Sequence, residues 1–169
     1  MTQYPDGHDQ KGPMEAILTD GSLGHLAMRD GPGVYVIPIN YTYIDGKILL
    51  HCALEGKKLD LIRTDPSVCF EVGRQEGTPI PHAGDACDNA FESVICWGAA
   101  RFIEDIDERC AILEAFQARY ETPTRKWDPI SPEQAARCGA IEITVTRMTG
   151  RRKTGTQKAA WQWEAQPPT

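Results

Sequence analysis

This chain of 169 residues lacks most of the features that assign a protein to a class at sight. Its six cysteines, Cys52, Cys69, Cys87, Cys96, Cys110 and Cys138, form no C-x-x-C pair, and three of them sit in apolar runs. That pattern reads as reduced, mostly buried thiols rather than a disulfide framework. The histidines His8, His25, His51 and His82 lie far apart, and none has ligand spacing with a cysteine or carboxylate, so no metal site is expected. Nowhere do eighteen apolar residues run together, and residues 1–11 hold no apolar stretch of the signal-peptide kind. A soluble, cytoplasmic protein is expected. An excess of positive charge is also missing: the formal charge is -6, which argues against a nucleic-acid or anionic-membrane surface. Any anion must therefore meet a local patch. No repeat, low-complexity tract or alternating βαβ series is present.

What is there is the patterning of one domain, and a chain of this length buries roughly 70% of its unfolded surface. Residues 1–12 are polar and read as a flexible N-terminal arm, 13–150 as the folded domain, and 151–169 as a C-terminal tail carrying Trp161 and Trp163. A short helix is predicted over 13–18, opened by Pro13 and stopped by Asp20-Gly21. A strand follows over 23–28, leading to the Asp30-Gly31-Pro32-Gly33 turn. Ile44-Asp45-Gly46-Lys47 is a strong signal for a two-residue hairpin, because a type I′ turn needs positive φ at both central positions. That loop sets a register in which Thr42 faces Leu49, Asn40 faces His51 and Pro38 faces Ala53 on one side of the pair. Helices are predicted over 56–63, over 107–120 behind an Asp cap, and after Ser131-Pro132-Glu133. Strands are predicted over 68–72, 93–103 with a bend at Gly98, and 140–148, while 73–92 reads as a long polar connection. Five or six strands with hairpin chemistry and few helices predict a mainly β fold, an antiparallel barrel with helical decoration.

Gly56-Lys57-Lys58 places two cations and free amides on a helix start, a combination suited to a phosphate monoester. Two adjacent lysines on a helix are more often a solvated face, so the motif alone is weak. His51 is the one histidine within a predicted strand outside the 23–28 segment, and a half-buried histidine bonded to backbone is the plain alternative to a chemical role. Ser93 fits ordinary strand-start chemistry. Trp97, Trp161 and Trp163 read first as packing residues, and Arg151-Arg152-Lys153 as a solvated run.

Taken in order, Gly24-His25-Leu26-Ala27, Pro38-Ile39-Asn40-Tyr41, Asp45-Gly46-Lys47-Ile48, His51-Cys52-Ala53 with Gly56-Lys57-Lys58, Asp65-Pro66-Ser67-Val68-Cys69-Phe70-Glu71-Val72, and Ser93-Val94 through Gly98-Ala99-Ala100 resemble the nitroimidazole-resistance (Nim)-like branch of the pyridoxamine 5′-phosphate oxidase-related flavoproteins. The resemblance runs from about Met14 to about Gly150. It implies a split antiparallel β-barrel homodimer with FMN at the subunit interface. By position it implies that Pro38, Ile39, Asn40 and Tyr41 lie beside the isoalloxazine ring. His51 and Ala53 match the second strand of that wall, Lys57 and Lys58 match the phosphate positions, and Ser93 matches a position near the cofactor. His51 also matches a histidine on the reactive side of the flavin, and so is the candidate catalytic residue. Relatives often carry a basic residue in the loop before Ser93, where this chain reads Phe91-Glu92.

The function so implied is an FMN-dependent oxidoreductase passing electrons from NAD(P)H to a small acceptor such as a nitroaromatic or quinone. The alternative is a non-catalytic module that binds flavin, haem or a deazaflavin.

Overall fold

A computed structural model describes residues 10–82, 86–154 and 157–166, with backbone alone for 76–82 and 86–89. Helix α1 (Lys11–Asp20) buries Met14, Ile17 and Leu18, the i, i+3, i+4 stripe of a helix lying on a core. Lys11 and Gly12, assigned to the N-terminal arm from the sequence, belong to its first turn. Strands β1 (Leu23–Asp30), β2 (Gly33–Ile44) and β3 (Lys47–Cys52) follow as antiparallel neighbours. Asp45 and Gly46 have φ of 49° and 80°, as the type I′ turn requires, and Ile44 pairs with Lys47 and Thr42 with Leu49 as expected.

Helix α2 (Lys57–Thr64) leads to the long hairpin of β4 (Ser67–His82) and β5 (Ala86–Phe102). Most of the span expected as a polar connection, 73–92, is therefore strand. Its polar sequence is compatible with pairing because ladder bonds satisfy the backbone and Glu92, only 3% exposed, is held between cations. Arg74 Nε lies 2.6 Å from one carboxylate oxygen, and Arg152 Nη2 lies 2.7 Å from the other. Helices α3 (Ile106–Tyr120) and α4 (Pro132–Ala135) come next, α3 behind Asp105 and α4 behind a Ser131/Gln134 capping box.

The last strands, β6 (Gly139–Thr154) and β7 (Gln157–Glu164), replace the expected tail beyond residue 150. Trp161 and Trp163 pack on the core beside α1, and the Lys11 ammonium sits 4.7 Å from the Trp163 ring centre. This apolar footing explains why the segment pairs with β6 instead of remaining solvated.

The seven strands form one antiparallel sheet in the order β3-β2-β1-β4-β5-β6-β7, and an added β3–β6 pairing closes the first six into a ring. The interior holds Leu26, Met28, Tyr41, Ile48, Leu50, Phe70, Ile141 and Ile143, each with at most 1% exposure. Each such side chain contributes about 1.5–3 kcal/mol by leaving water. At the predicted bend, a Cβ on Gly98 would collide with the Thr144 carbonyl oxygen, so the close β5–β6 approach requires glycine there. A second apolar cluster, of Leu49, Ile103, Ile112, Phe116 and Ala140, seats α3 on the outside of β3 and β6.

The β3–β6–β5 seam is pinned by Glu142, which is 6% exposed. Lys47 of β3 donates to it at 2.8 Å and Arg101 of β5 at 3.0 Å, and Arg101 also grips Glu108 of α3. Burial pushes the Glu142 carboxyl up, but the bonds from Lys47 and Arg101 outweigh it and hold the group below its ordinary value. A lowered folded pKa contributes stability above the unfolded value that is lost as pH falls through the folded one. Glu142→Gln is expected to cost about 1–2 kcal/mol near neutral pH. The difference from the parent protein should shrink toward about pH 3, as read by urea unfolding at both pH values.

Candidate functional site

The site begins where a ladder stops. β2 and β3 are paired only from Ile44–Lys47 to Tyr41–Leu50. The expected Asn40–His51 and Pro38–Ala53 pairs do not form: beyond Tyr41–Leu50 the two strands separate, each held along its other edge by a different neighbour. Asn40 pairs with Leu23 of β1 and its Nδ2 donates to the Ser22 carbonyl at 3.0 Å, while His51 pairs with Ala140 of β6. The two strands diverge, and among the described residues the facing edges of 38–40 and 51–53 have no ladder partners across the gap. Those edges present backbone donors and acceptors to whatever enters. Asn40 and His51 still share the outer face of the barrel, since Thr42 and Leu49 fix the alternation on either side.

Pro38 and Asn40 are exposed on β2, with Ile39 half-buried between them. Tyr41 differs. Its ring is fully buried edge-on to Phe70, with centroids 5.1 Å apart, and its hydroxyl donates to the Leu18 carbonyl at 2.7 Å. Burial drives that hydroxyl's pKa well above the ordinary tyrosine value. The Tyr41 side chain thus belongs to the core, and only its backbone reaches the split. His51 is exposed, and its ring meets Phe116 of α3 edge-on, with centroids 4.7 Å apart and planes at 87°. Phe116 holds the imidazole upright while leaving it open to solvent. Ala53, also exposed, follows the last residue of β3.

Beyond Ala53 the chain turns into α2 through Gly56, whose φ of 126° and ψ of 166° belong to a region that is essentially glycine-only. Lys57 Nζ lies 2.6 Å from Asp30 Oδ2 and 4.8 Å from the Tyr35 ring centre, so α2 starts beside the β1–β2 turn. The hydrogen bond to Asp30 raises the Lys57 pKa. Lys58 is half-buried, and among the described residues its ammonium has no hydrogen bond or ion pair. It lies close enough to Cys52 to oppose the rise that burial imposes on that thiol. The split therefore runs from an exposed imidazole and an amide to an unneutralised ammonium at a helix start. That is a polar groove suited to a flat ring system joined to an anion.

Ser93 stands apart. It is half-buried on β5, pairing with Gly73 and Arg151, and β1 and β4 lie between its strand and β2. Three strand spacings put it about 14 Å from β2. On the outer face β1 and β2 expose Leu23, Val34 and Val36 at 52%, 69% and 53%. A shallow cavity of about 500 Å³ opens beside them, lined by Ala27, Arg29, Val34, Ser67, Cys69 and Trp97 among others, away from the β2–β3 split. Among the described residues no three His, Cys, Asp or Glu side chains gather as metal ligands, and no helix is long and apolar enough to cross a membrane.

Asp30 and Phe116 are the two contributors that sequence reasoning missed. Asp30 read only as a turn residue and Phe116 only as a helix core position, and no local signal ties Asp30 to Lys57 or Phe116 to His51, 27 and 65 positions away.

Residues 11–152 match the family model described as pyridoxamine 5′-phosphate oxidase. Among solved structures the chain is similar to a candidate 5-nitroimidazole antibiotic resistance protein of Bacteroides thetaiotaomicron, with 21% identity, a TM-score of 0.70, and 85% of this chain and 84% of that one covered. It is also similar to the flavocytochrome Anf3 of Azotobacter vinelandii, with 16% identity, a TM-score of 0.75, and 94% and 81% covered. An FAD and haem binding protein of Mycobacterium smegmatis gives 13% identity, a TM-score of 0.75, and 94% and 86% covered. No curated protein matches the sequence.

Tyr41→Phe tests the assignment of that ring to the core. It is expected to lower stability by about 1–2 kcal/mol, by leaving the buried Leu18 carbonyl short of its donor, and chemical denaturation measures this directly.

Proposed function

The chain belongs to the pyridoxamine 5′-phosphate oxidase family, and from that premise and the geometry of the β2–β3 split we propose that it is a flavoprotein that binds FMN. We further propose that it passes electrons from NAD(P)H to a small acceptor such as a nitroaromatic or quinone. The observation that carries the reading is the groove itself: unpaired edges at 38–40 and 51–53 that end at Lys58 and the Gly56 turn. An isoalloxazine ring has a polar edge of carbonyls and ring nitrogens that matches free backbone groups, and its phosphate is the anion that an unneutralised lysine at a helix start favours. Flavin binding is also named for several of the similar structures.

FMN, when bound, would supply the hydride and electron transfer chemistry. The residues of this chain do the rest. Asn40 orients the ring edge, its backbone being the one of β2 that alternation turns toward the split, and Pro38 packs against its plane. Lys58 is the principal phosphate ligand. Lys57, already held by Asp30, contributes less unless that pair opens. His51, exposed and braced by Phe116, is placed to donate a proton or hydrogen bond to an acceptor from the open side of the groove.

The position of Ser93 supports a homodimer. A residue about 14 Å from β2 reaches a ligand in the split only if that ligand belongs to a facing copy. The exposed Leu23, Val34 and Val36 are the apolar surface such a copy would cover.

Freshly purified protein is expected to show a flavin absorption spectrum, or to acquire one on FMN addition. A Soret band, or no uptake of FMN, contradicts the proposal. Lys58→Ala is expected to weaken FMN binding by about tenfold or more, and Lys57→Ala by less. His51→Ala should keep the flavin and slow acceptor reduction in anaerobic stopped-flow assays with NADPH. Sedimentation of the flavin-loaded protein as a species of 18.7 kDa would overturn the dimer.

A further inference from the structure

Two thiols meet where β3 ends. Cys52, the last residue of β3, pairs with Gly139, the first of β6, and Cys138 precedes Gly139 in the turn after α4. The Cys138 thiol donates to the Cys52 carbonyl at 3.6 Å, although the two residues are 86 positions apart in the sequence. The Cys52 thiol lies over Gly139, since a Cβ on that glycine would come within 3.1 Å of Cys52 Sγ. Gly139 itself, having no side chain, puts nothing between them. Paired Cα atoms in an antiparallel ladder are about 4.5–5.5 Å apart, so one step along the partner strand leaves the Cα atoms of Cys52 and Cys138 about 6 Å apart. A disulfide bridges Cα separations of about 4.4–6.8 Å.

Both cysteines are free thiols and only partly buried. Burial raises the Cys52 pKa and Lys58 opposes the rise, while charge on Cys138 adds to it, so the two sulfurs sense each other. Another cysteine pair shows what sets this one apart. Cys69 and Cys96 stand in the same diagonal relation across β4 and β5, because Cys69 pairs with Trp97 and Phe70 with Cys96. Alternation sends those two to opposite faces of the sheet, with Cys96 in the core at 1% exposure. Cys138 escapes that rule, because it lies in the turn before the strand begins.

We propose that Cys52 and Cys138 are a redox pair that closes to a disulfide when a hydroperoxide is present and reopens with an external thiol. One sulfur takes the terminal peroxide oxygen as a sulfenic acid and releases an alcohol, or water in the case of hydrogen peroxide. The second sulfur then displaces that oxygen as water, forming the S–S bond. Two thiols and one hydroperoxide thus give one disulfide, one water and one alcohol. The link fastens the end of β3 to β6 and with it the backbone of His51 and Ala53, the open edge of the groove. Its formation does not depend on the flavin reading.

Treatment of the full-length protein with hydrogen peroxide, followed by alkylation and peptide mapping without reductant, tests the proposal. The expected product is a Cys52–Cys138 linked peptide, lighter by about 2 Da than its two parts together, in a protein that still runs as a single chain. Dithiothreitol is expected to remove the link. Cys52→Ser and Cys138→Ser should each abolish it, and Cys69→Ser and Cys110→Ser should leave it intact. Amide exchange at residues 51–53 is expected to be slower in the oxidised parent than in the reduced one, and unaltered by peroxide in Cys138→Ser. No linked peptide, Cys52 joined to a different cysteine, or oxidation that runs on to sulfinic acid at either residue overturns the redox pair. A link that leaves exchange at 51–53 unchanged overturns its hold on the groove edge. Reduced Cys138→Ser is expected to bind FMN as the parent does, so failure of this pair and failure of the flavin site are read separately.

Discussion

A strand has two edges, and the way β3 uses its edges determines most of this molecule. Between Lys47 and Leu50 it is paired on both sides, with β2 and with β6. From His51 onward the β6 pairing continues and the β2 pairing does not. Continuing with β6 closes six strands into a ring and gives α3 a floor of Leu49 and Ala140. Leaving β2 opens the groove on which the proposed function rests. Closure and opening are thus one event, and a β3 that stayed zipped to β2 through Ala53 would fill the site with its own backbone.

Buried charge holds this arrangement in register. Glu142 ties β3, β6 and β5 together at the seam, and Glu92 ties β4, β5 and β6 at the far end of the barrel. Each carboxylate meets two cations, which offsets the cost of removing it from water. Both pins also settle which cations remain for ligands. Arg74, Arg101 and Arg152 are engaged by them, and Lys57 by Asp30, whereas Lys58, at the start of α2, has no ion pair among the described residues. The difference in pairing between two adjacent lysines comes from one aspartate at the end of β1.

Local chemistry made much of this legible in advance. Asp45-Gly46 required a type I′ turn, Gly98 a close approach, and Ser131-Pro132 a capped helix, and each condition is set by residues within a few positions. The ordered motifs lie on the two strands that diverge to form the groove. Partner choice was not legible, because it depends on residues distant in sequence. Nothing near Asn40 indicates that the ladder with β3 would stop at Tyr41, and nothing near Lys57 points to Asp30. Tyr41 followed Asn40 into the expected site from proximity in sequence, yet strand alternation sends its side chain inward to Leu18. The same blindness made β7 read as a tail. Its tryptophans show their purpose only once α1 lies beside them, just as the polar strand ends near Glu92 make sense only beside Arg74 and Arg152.

Amide hydrogen exchange with and without FMN, read residue by residue, tests the central claim most directly. The account predicts that FMN slows exchange at Asn40, His51, Ala53 and the first turn of α2, whose amides face the split. The ladder from Tyr41 to Leu50, already paired in the structure, should be little changed. Protection confined to other strands, or none at the two facing edges despite measured binding, would contradict the assignment of the β2–β3 split as the flavin site.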